Sequence, residues 1–419
     1  MQTIFKSRNI IQAGWLFILF FISCTGSQRK LFGSRSPHQD YADKLSRANL
    51  DETALGKSWI NASAMALANP LSVKLPYSEA GYFESGAARA AGLRFSARRG
   101  DLLLIEISPR PANAFRVFVD LLQPAEGKEP RLLSSADTLN HKIQYEVEKD
   151  SDFLLRIQPQ LLESGSYTLS ISTGPSLGFP VANSANPKIG SFWGDARDAG
   201  ARSHEGIDIF GARKTPLLAA ADGIISSVSE NRLGGKVIFL RPSKKSYTLY
   251  YAHLDSQLVS EGQQIRLGDT IGLLGNTGNA RTTAPHLHFG IYSSGAIDPL
   301  PFIDRTRPVA DKIQADGTSS ALLKTANKAK IYSAPDKTSQ TILLPETNTI
   351  ITPIAATGTW YKIVLPDGRR GFIATNAVRS TAQPITTEQL KSDMRLFDRP
   401  DTTAGIKTQI PNGTSIDVL

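Results

Sequence analysis

From residue 75 onward the apolar residues come in runs too short for helices, and this limits what the chain can fold into. Leu102–Ile107, Phe115–Leu121, Ile143–Val147, Phe153–Ile157 and Tyr167–Ile171 are each five to seven residues long, with Gly, Pro, Asp or Ser between them. Several alternate apolar with polar side chains, the pattern of a strand with one face in a core. Short strands at this spacing predict an antiparallel sandwich over residues 75–178. The pattern resumes with Val237–Leu240, Tyr247–Tyr251 and Leu287–Tyr292, joined by Gly-rich turns, in a second strand-rich unit over residues 186–305.

A chain of 419 residues exceeds one domain, since roughly 150 residues per domain is usual. The polar residues 25–48 read as a tether. Residues 51–69 read as one short helix, with an acidic start and Pro70 as its stop, which completes a 25–74 segment of tether and helix. Gly178 to Pro187 and residues 306–319 read as linkers. The C-terminal region contains an imperfect repeat: Lys330-Ile-Tyr-Ser-Ala-Pro-Asp-Lys-Thr aligns without gaps with Arg395-Leu-Phe-Asp-Arg-Pro-Asp-Thr-Thr. The first copy, residues 320–380, continues through Gly358-Thr-Trp-Tyr-Lys-Ile-Val to Gly371-Phe-Ile-Ala. It resembles bacterial Src-homology-3-like barrels, which commonly bind cell-wall peptide. The second, residues 388–419, is partial. The Gly165-Ser-Tyr-Thr-Leu-Ser-Ile ending resembles the jelly-roll accessory domains of secreted bacterial peptidases. The expected fold class is mostly β: an N-terminal jelly-roll-like β-sandwich, an antiparallel-β domain over residues 186–305 and a C-terminal small β-barrel repeat.

The net charge of +9 is spread along the chain, and no Lys/Arg block carries interleaved aromatics, so nucleic acid is not an expected partner. A mildly basic tail favours an anionic wall or membrane surface. Cys24 is the only cysteine, which excludes an intramolecular disulfide. Lys6 and Arg8 precede the apolar run Trp15–Ile22, which is short against the roughly 20 residues of a spanning helix. A basic start followed by a short apolar run reads as a signal peptide over residues 1–24. Cys24 directly behind it resembles a bacterial lipobox, although Phe21 stands where that pattern usually has Leu. The resemblance implies export and membrane attachment through a lipidated Cys24 facing the wall.

Four of the six histidines, His204, His253, His286 and His288, fall in the 186–305 unit. His204-Glu-Gly-Ile-Asp208 offers imidazole and carboxylate, both standard zinc ligands. In His286-Leu-His288 a strand directs both rings to the same side. Two ligands from the first pair and one from the second make the three-ligand, one-open-position set of a catalytic zinc site. The remaining histidines titrate in the range suited to proton transfer. Tyr251 reads either as an oxyanion donor or as a core aromatic.

Gly190-Ser-Phe-Trp-Gly, His204-x-x-x-Asp208, Ala219-Ala-Ala-Asp-Gly-Ile-Ile, Tyr251-Ala-His253-Leu, Gly275-Asn-Thr-Gly278 and Pro285-His286-Leu-His288-Phe resemble, in order, the lysostaphin/LytM-type zinc endopeptidases. Ala284 stands where that family usually has Gly. The resemblance covers about residues 186–305 and implies one zinc held by His204, Asp208 and His288. It also implies that His253 and His286 act as general base or stabilise the tetrahedral intermediate. Family members cut peptide cross-links or stem peptides of bacterial walls, so peptidoglycan peptide is the implied substrate. Two other readings stand beside it. One is an activator of wall amidases, whose known forms lack one or more of the five residues present here. The other is a non-catalytic wall-binding lipoprotein.

Overall fold

The computed structural model describes residues 35–418, apart from 113–114, 138–140, 184–185, 198–199, 307, 318–320, 383 and 399–401. The signal-peptide and lipidation expectations, Cys24 included, lie outside the described residues. Among the described residues no helix is long and apolar enough to cross a membrane.

Residues 37–47, read above as part of a tether, form helix α1 (Pro37–Arg47). The helix has local causes. Ser36 and Gln39 make a reciprocal capping box, and Pro37 occupies the first turn. Its apolar stripe is only His38, Tyr41, Ala42 and Leu45, narrow enough to be lost in a polar composition. That stripe packs on Trp59 and Phe118. Helix α2 (Ala54–Ala68) starts at the Thr53 cap and ends just ahead of Pro70. Its Trp59 is 1% exposed and donates to the Pro159 carbonyl at 2.8 Å.

The chain is mostly β. Nine strands follow the helices: β1 (Leu71–Ser72), β2 (Tyr77–Phe83), β3 (Ala91–Ala97), β4 (Asp101–Arg110), β5 (Val117–Gln123), β6 (Arg131–Ser135), β7 (Lys142–Glu146), β8 (Ser151–Pro159) and β9 (Gly165–Pro175). They form two sheets, β1-β3-β8-β5-β6 and β2-β9-β4-β7. Between them lies one core that includes Leu93, Phe95, Leu103, Ile105, Leu121, Leu155 and Ile171. The five apolar runs became β4, β5, β7, β8 and β9. Strand β2 carries Ser78, Glu79 and Gly81, so hydrophobicity alone does not reveal it.

The next unit contains β10 (Lys188–Ser191), β11 (Ala196–Arg197), β12 (Arg202–Ser203), β13 (Ile207–Phe210), β14 (Pro216–Leu218), β15 (Gly223–Asn231), β16 (Gly235–Pro242), β17 (Thr248–Gln257), β18 (Gln264–Ile265), β19 (Thr270–Leu274), β20 (His286–Tyr292) and β21 (Ala296–Ile297), then helix α3 (Leu300–Ile303). The main sheet runs β10-β13-β20-β17-β16-β15-β18. Its hidden face, with Ile207, Ile209, Leu249, Tyr251, Leu287, Phe289 and Ile291, has no exposure at all. The 178–187 segment is not a free linker. Val181 bridges to Leu217, and Leu177 and Val181 belong to this core, because apolar side chains gain more by burial than by solvation.

The C-terminal strands are β22 (Leu323–Thr325), β23 (Ile331–Tyr332), β24 (Thr341–Leu343), β25 (Ile350–Thr357), β26 (Trp360–Val364), β27 (Arg370–Ala374) and β28 (Val378–Ser380), around a core that includes Ile331, Ile351, Ile363 and Ile373. Beyond them lie β29 (Thr386–Gln389), β30 (Met394–Phe397), β31 (Ile406–Ile410) and β32 (Ser415–Val418). The repeat is visible in strand register. Ile331↔Leu343 and Leu323↔Ile351 in the first copy correspond to Leu396↔Thr408 and Glu388↔Ile416 in the second, each shifted by 65 residues (396 − 331 = 65). Strand β25 also pairs with β2, so the sandwich sheet continues into the C-terminal unit. The 306–319 segment, read as a linker, is tied to this seam: Asp311 accepts from the Ser78 hydroxyl at 3.0 Å and the Gln314 amide donates to Gly358 at 2.9 Å.

Candidate metal centre

Strand alternation builds the site. On β20 the odd residues Leu287, Phe289 and Ile291 enter the core, so His286, His288, Gly290 and Tyr292 share the opposite face. Antiparallel pairing sets Asp208 directly across from His288 and Phe210 across from His286 on β13. On the other side Ala252 of β17 stands opposite His288 and Tyr250 opposite Gly290. The result is the floor of a cleft of about 1010 Å³, and all its lining residues lie between Gly190 and Tyr292.

His204 enters from the turn before β13. Its Nε2 lies 3.0 Å from Asp208 Oδ1 and 2.9 Å from His288 Nδ1, and His288 Nδ1 is 3.1 Å from the same Oδ1. One donor atom from each of the three residues lies within 4.8 Å of the others. Gly206 leaves room for the His288 ring: a Cβ there would come within 2.7 Å of Cε1 and 2.8 Å of Nε2.

Ring tautomers follow from partners that can only accept. His204 Nδ1 faces the Phe192 carbonyl at 2.9 Å, His253 Nδ1 that of Thr277 at 2.9 Å, and His286 Nδ1 that of Ala284 at 2.8 Å. Each Nδ1 therefore carries its proton, which leaves the Nε2 of His253 and His286 available, while the Nε2 of His204 is engaged with Asp208 and His288. His286 Nε2 is 4.0 Å from Asp208 Oδ1, outside the close triad. The His253 and His286 ring centroids are 5.0 Å apart. His253 owes its aim to a β-bulge: between Ile238↔Tyr251 and Lys236↔Leu254, both Ala252 and His253 oppose Val237. Its φ of 66° is a left-handed conformation that a side chain adopts at a cost, which the Gly234 carbonyl helps hold by accepting the His253 amide at 2.7 Å.

The electrostatics suit a cation. Burial by itself would raise the Asp208 carboxyl, but the hydrogen bonds from His204 and His288 outweigh it and hold the group far below its ordinary range. Burial, then the neighbouring His286, lowers His253 to about 4. Burial also lowers His288. The imidazoles of His253 and His288 are therefore neutral at pH 7. Two imidazole nitrogens and one carboxylate oxygen converging on one point form a donor set that zinc accepts.

The structure thus brings His204, Asp208, His288, His286 and His253 into one cleft. Tyr251 does not join them: it is fully buried, its hydroxyl accepts from the Ala220 amide at 2.9 Å, and it is a core aromatic. The tyrosines that do line the cleft, Tyr250 and Tyr292, were missed. Tyr292 was within reach, because alternation continued from His288 puts it on the same face. Arg197, 2.6 Å from Asp208 Oδ2, was also missed, and no local pattern marks it.

Residues 202–299 match the profile of peptidase family M23. The peptidoglycan DD-endopeptidase ShyC of Vibrio cholerae is 38% identical over 94 residues, which are 22% of this chain and 21% of that one. The L-Ala--D-Glu endopeptidase of Bacillus subtilis is 33% identical over 138 residues, 30% of this chain and 42% of that one. The chain thus spans less than half of these relatives' lengths. Among solved structures, the catalytic domain of lysostaphin from Staphylococcus simulans is 34% identical over 28% of this chain and 92% of that one, with a TM-score of 0.26.

Proposed function

We propose that this chain, which carries an M23 peptidase domain at residues 202–299, is a zinc endopeptidase that hydrolyses peptide bonds of peptidoglycan. The observation that carries the reading is the convergence of His204, Asp208 and His288 on one point at the floor of an open cleft, with His253 and His286 beside them. The three would hold one zinc per chain. Zinc, when bound, polarises a scissile carbonyl and lowers the pKa of water. The chain's own residues do the rest. His253 is neutral at pH 7, and its Nε2 lone pair can take the proton of the attacking water and return it to the leaving amine. His286, held by the Ala284 carbonyl, presents a second Nε2 beside it, and the two histidines would share the roles of general base and of stabilising the tetrahedral intermediate. One relative bears the name of a peptidoglycan DD-endopeptidase and another that of an L-Ala--D-Glu endopeptidase, and this supports wall peptide as the substrate class.

The test is digestion of purified peptidoglycan followed by mass analysis of the released muropeptides, with metal content measured in parallel. The expected result is about one zinc per chain and new peptide termini. Asp208→Ala should abolish both. Undiminished tight zinc in Asp208→Ala would refute the ligand set, and intact muropeptides beside full zinc content would refute the activity.

We also propose that Cys24 is lipidated and that the enzyme works from a membrane surface. The support is its place behind the basic start and the apolar run. Intact-mass measurement on the mature protein should show acyl chains on an N-terminal Cys24; an unmodified N-terminus beyond residue 24 would refute the anchor.

A further inference from the structure

Asp208 has two oxygens, and only one of them faces the other ligand atoms. Oδ1 lies against His204 Nε2 and His288 Nδ1, at 3.0 and 3.1 Å. Oδ2 lies 2.6 Å from Arg197 NH2. The same NH2 lies 2.6 Å from Ser191 Oγ. An NH2 carries two hydrogens, so one goes to each acceptor. The serine hydroxyl then sends its own proton to Asp195 Oδ2 at 2.9 Å, which also accepts the Phe192 amide at 2.8 Å. The hydrogen-bond direction therefore runs from Arg197 outward to both carboxylates, once directly and once through Ser191.

The arrangement is set by the backbone. A register shift at Gly190 between β10 and β13 puts Ser191 directly opposite Asp208. A Cβ at Gly190 would stand 2.8 Å from the Phe210 ring. The same turn grips His204, whose amide donates to Asp195 and whose carbonyl accepts from Gly194, at 2.9 and 3.0 Å. Both ligands from this side of the site are thus anchored to residues 191–197.

We propose that Arg197 is a positioning residue that occupies the second oxygen of Asp208, so that the carboxylate offers the metal a single oxygen and leaves the fourth coordination position open. The proposal rests on the zinc reading above. The physical reason is competition. A free carboxylate beside a divalent cation can rotate to bind through both oxygens, filling the position that water and substrate need. A charge-assisted hydrogen bond to Oδ2 opposes that rotation. Such outer partners of metal ligands are worth roughly 10–100-fold in metal affinity or activity. Arginine suits the task better than lysine because its planar head serves Asp208 and Ser191 in a fixed geometry.

The test replaces zinc by cobalt(II), whose visible bands are intense in four-coordination and weak in five. The full-length protein, Arg197→Met, Arg197→Lys and Ser191→Ala are compared for cobalt spectrum, metal dissociation constant, kcat and KM. In Arg197→Met the bands should weaken toward five-coordination and kcat should fall roughly 10–100-fold with KM nearly unchanged. Arg197→Lys should restore part of the intensity. Ser191→Ala, which loosens Arg197 without removing its charge, should give a smaller change in the same direction. If cobalt-loaded Arg197→Met shows the wild-type spectrum, the clamp is overturned and the zinc reading survives. An unchanged spectrum with a raised KM would likewise overturn it and make Arg197 a substrate contact. A wild-type chain that takes up no cobalt or zinc would overturn the zinc reading and the clamp together.

Discussion

Three of the cleft histidines are oriented by a backbone carbonyl, and the fourth, His288, lies against Asp208 and His204. The carbonyls of Phe192, Thr277 and Ala284 fix three Nδ1 protons, and the absent side chain of Gly206 leaves room for the fourth ring. Geometry separates the close triad of His204, Asp208 and His288 from His253 and His286. His253 lies outside the close triad, so His253→Ala should leave the zinc content at the wild-type value while the rate of wall-peptide cleavage falls roughly 10²–10⁴-fold, the usual worth of a positioned acid–base group. Wild-type cleavage by that variant would make His253 a structural residue. The residue types were readable in advance because His-x-x-x-Asp and His-x-His are local patterns. The bulge that turns His253 into the cleft was not, because it depends on how β17 meets β16.

Among the elements, α1 shows what composition hides. Its docking rests on His38, stacked on Trp59 at 4.6 Å and hydrogen-bonded to Gln158 at 2.6 Å. Burial, and then the Arg156 charge, lowers this imidazole from 6.5 to about 3. The folded state therefore resists a proton that the unfolded chain accepts. The stability tied to neutral His38 is complete above pH 6.5 and is lost as the pH falls from 6.5 toward 3, at up to about 1.4 kcal/mol per pH unit. Urea unfolding over that window should show a steeper decline for the wild type than for His38→Gln. Equal slopes would show that His38 does not carry the acid sensitivity. The strands divide in the same way. Apolar runs announced β4, β8 and β9, whereas β2 stayed hidden because its Glu79 is buried by partners far away in sequence.

Across the whole molecule, those partners join the sandwich to the C-terminal unit. Glu79, with no exposure, accepts from the Tyr77 and Tyr167 hydroxyls at 2.7 and 2.8 Å and from Lys362 at 2.6 Å. Lys362 is itself buried. A buried pair is costly to break by halves, so Lys362→Met should destabilise the fold by about 3–5 kcal/mol, and adding Glu79→Gln should recover much of the loss. Equilibrium unfolding of the single and double variants checks this, and a single variant as stable as the wild type would show that the seam does not depend on the pair. The sandwich meets the peptidase unit on another side, through Glu146 with Lys245 and Tyr247, and among the described residues it contributes none to the lining of the cleft.

Residue type and short-range spacing were enough to predict a mostly β chain, its repeat and five residues that meet in one cleft, because strand alternation and side-chain chemistry both act over two to five positions. Tertiary pairing decided which oxygen of Asp208 faces the imidazoles and which faces Arg197, which tyrosines line the cleft and which polar residues are buried at the seam. Those outcomes depend on strand pairing that brings together residues 84 apart in His204 and His288, and 283 apart in Glu79 and Lys362. Register is set by the packing of all the strands at once, so no local stretch of sequence carries it.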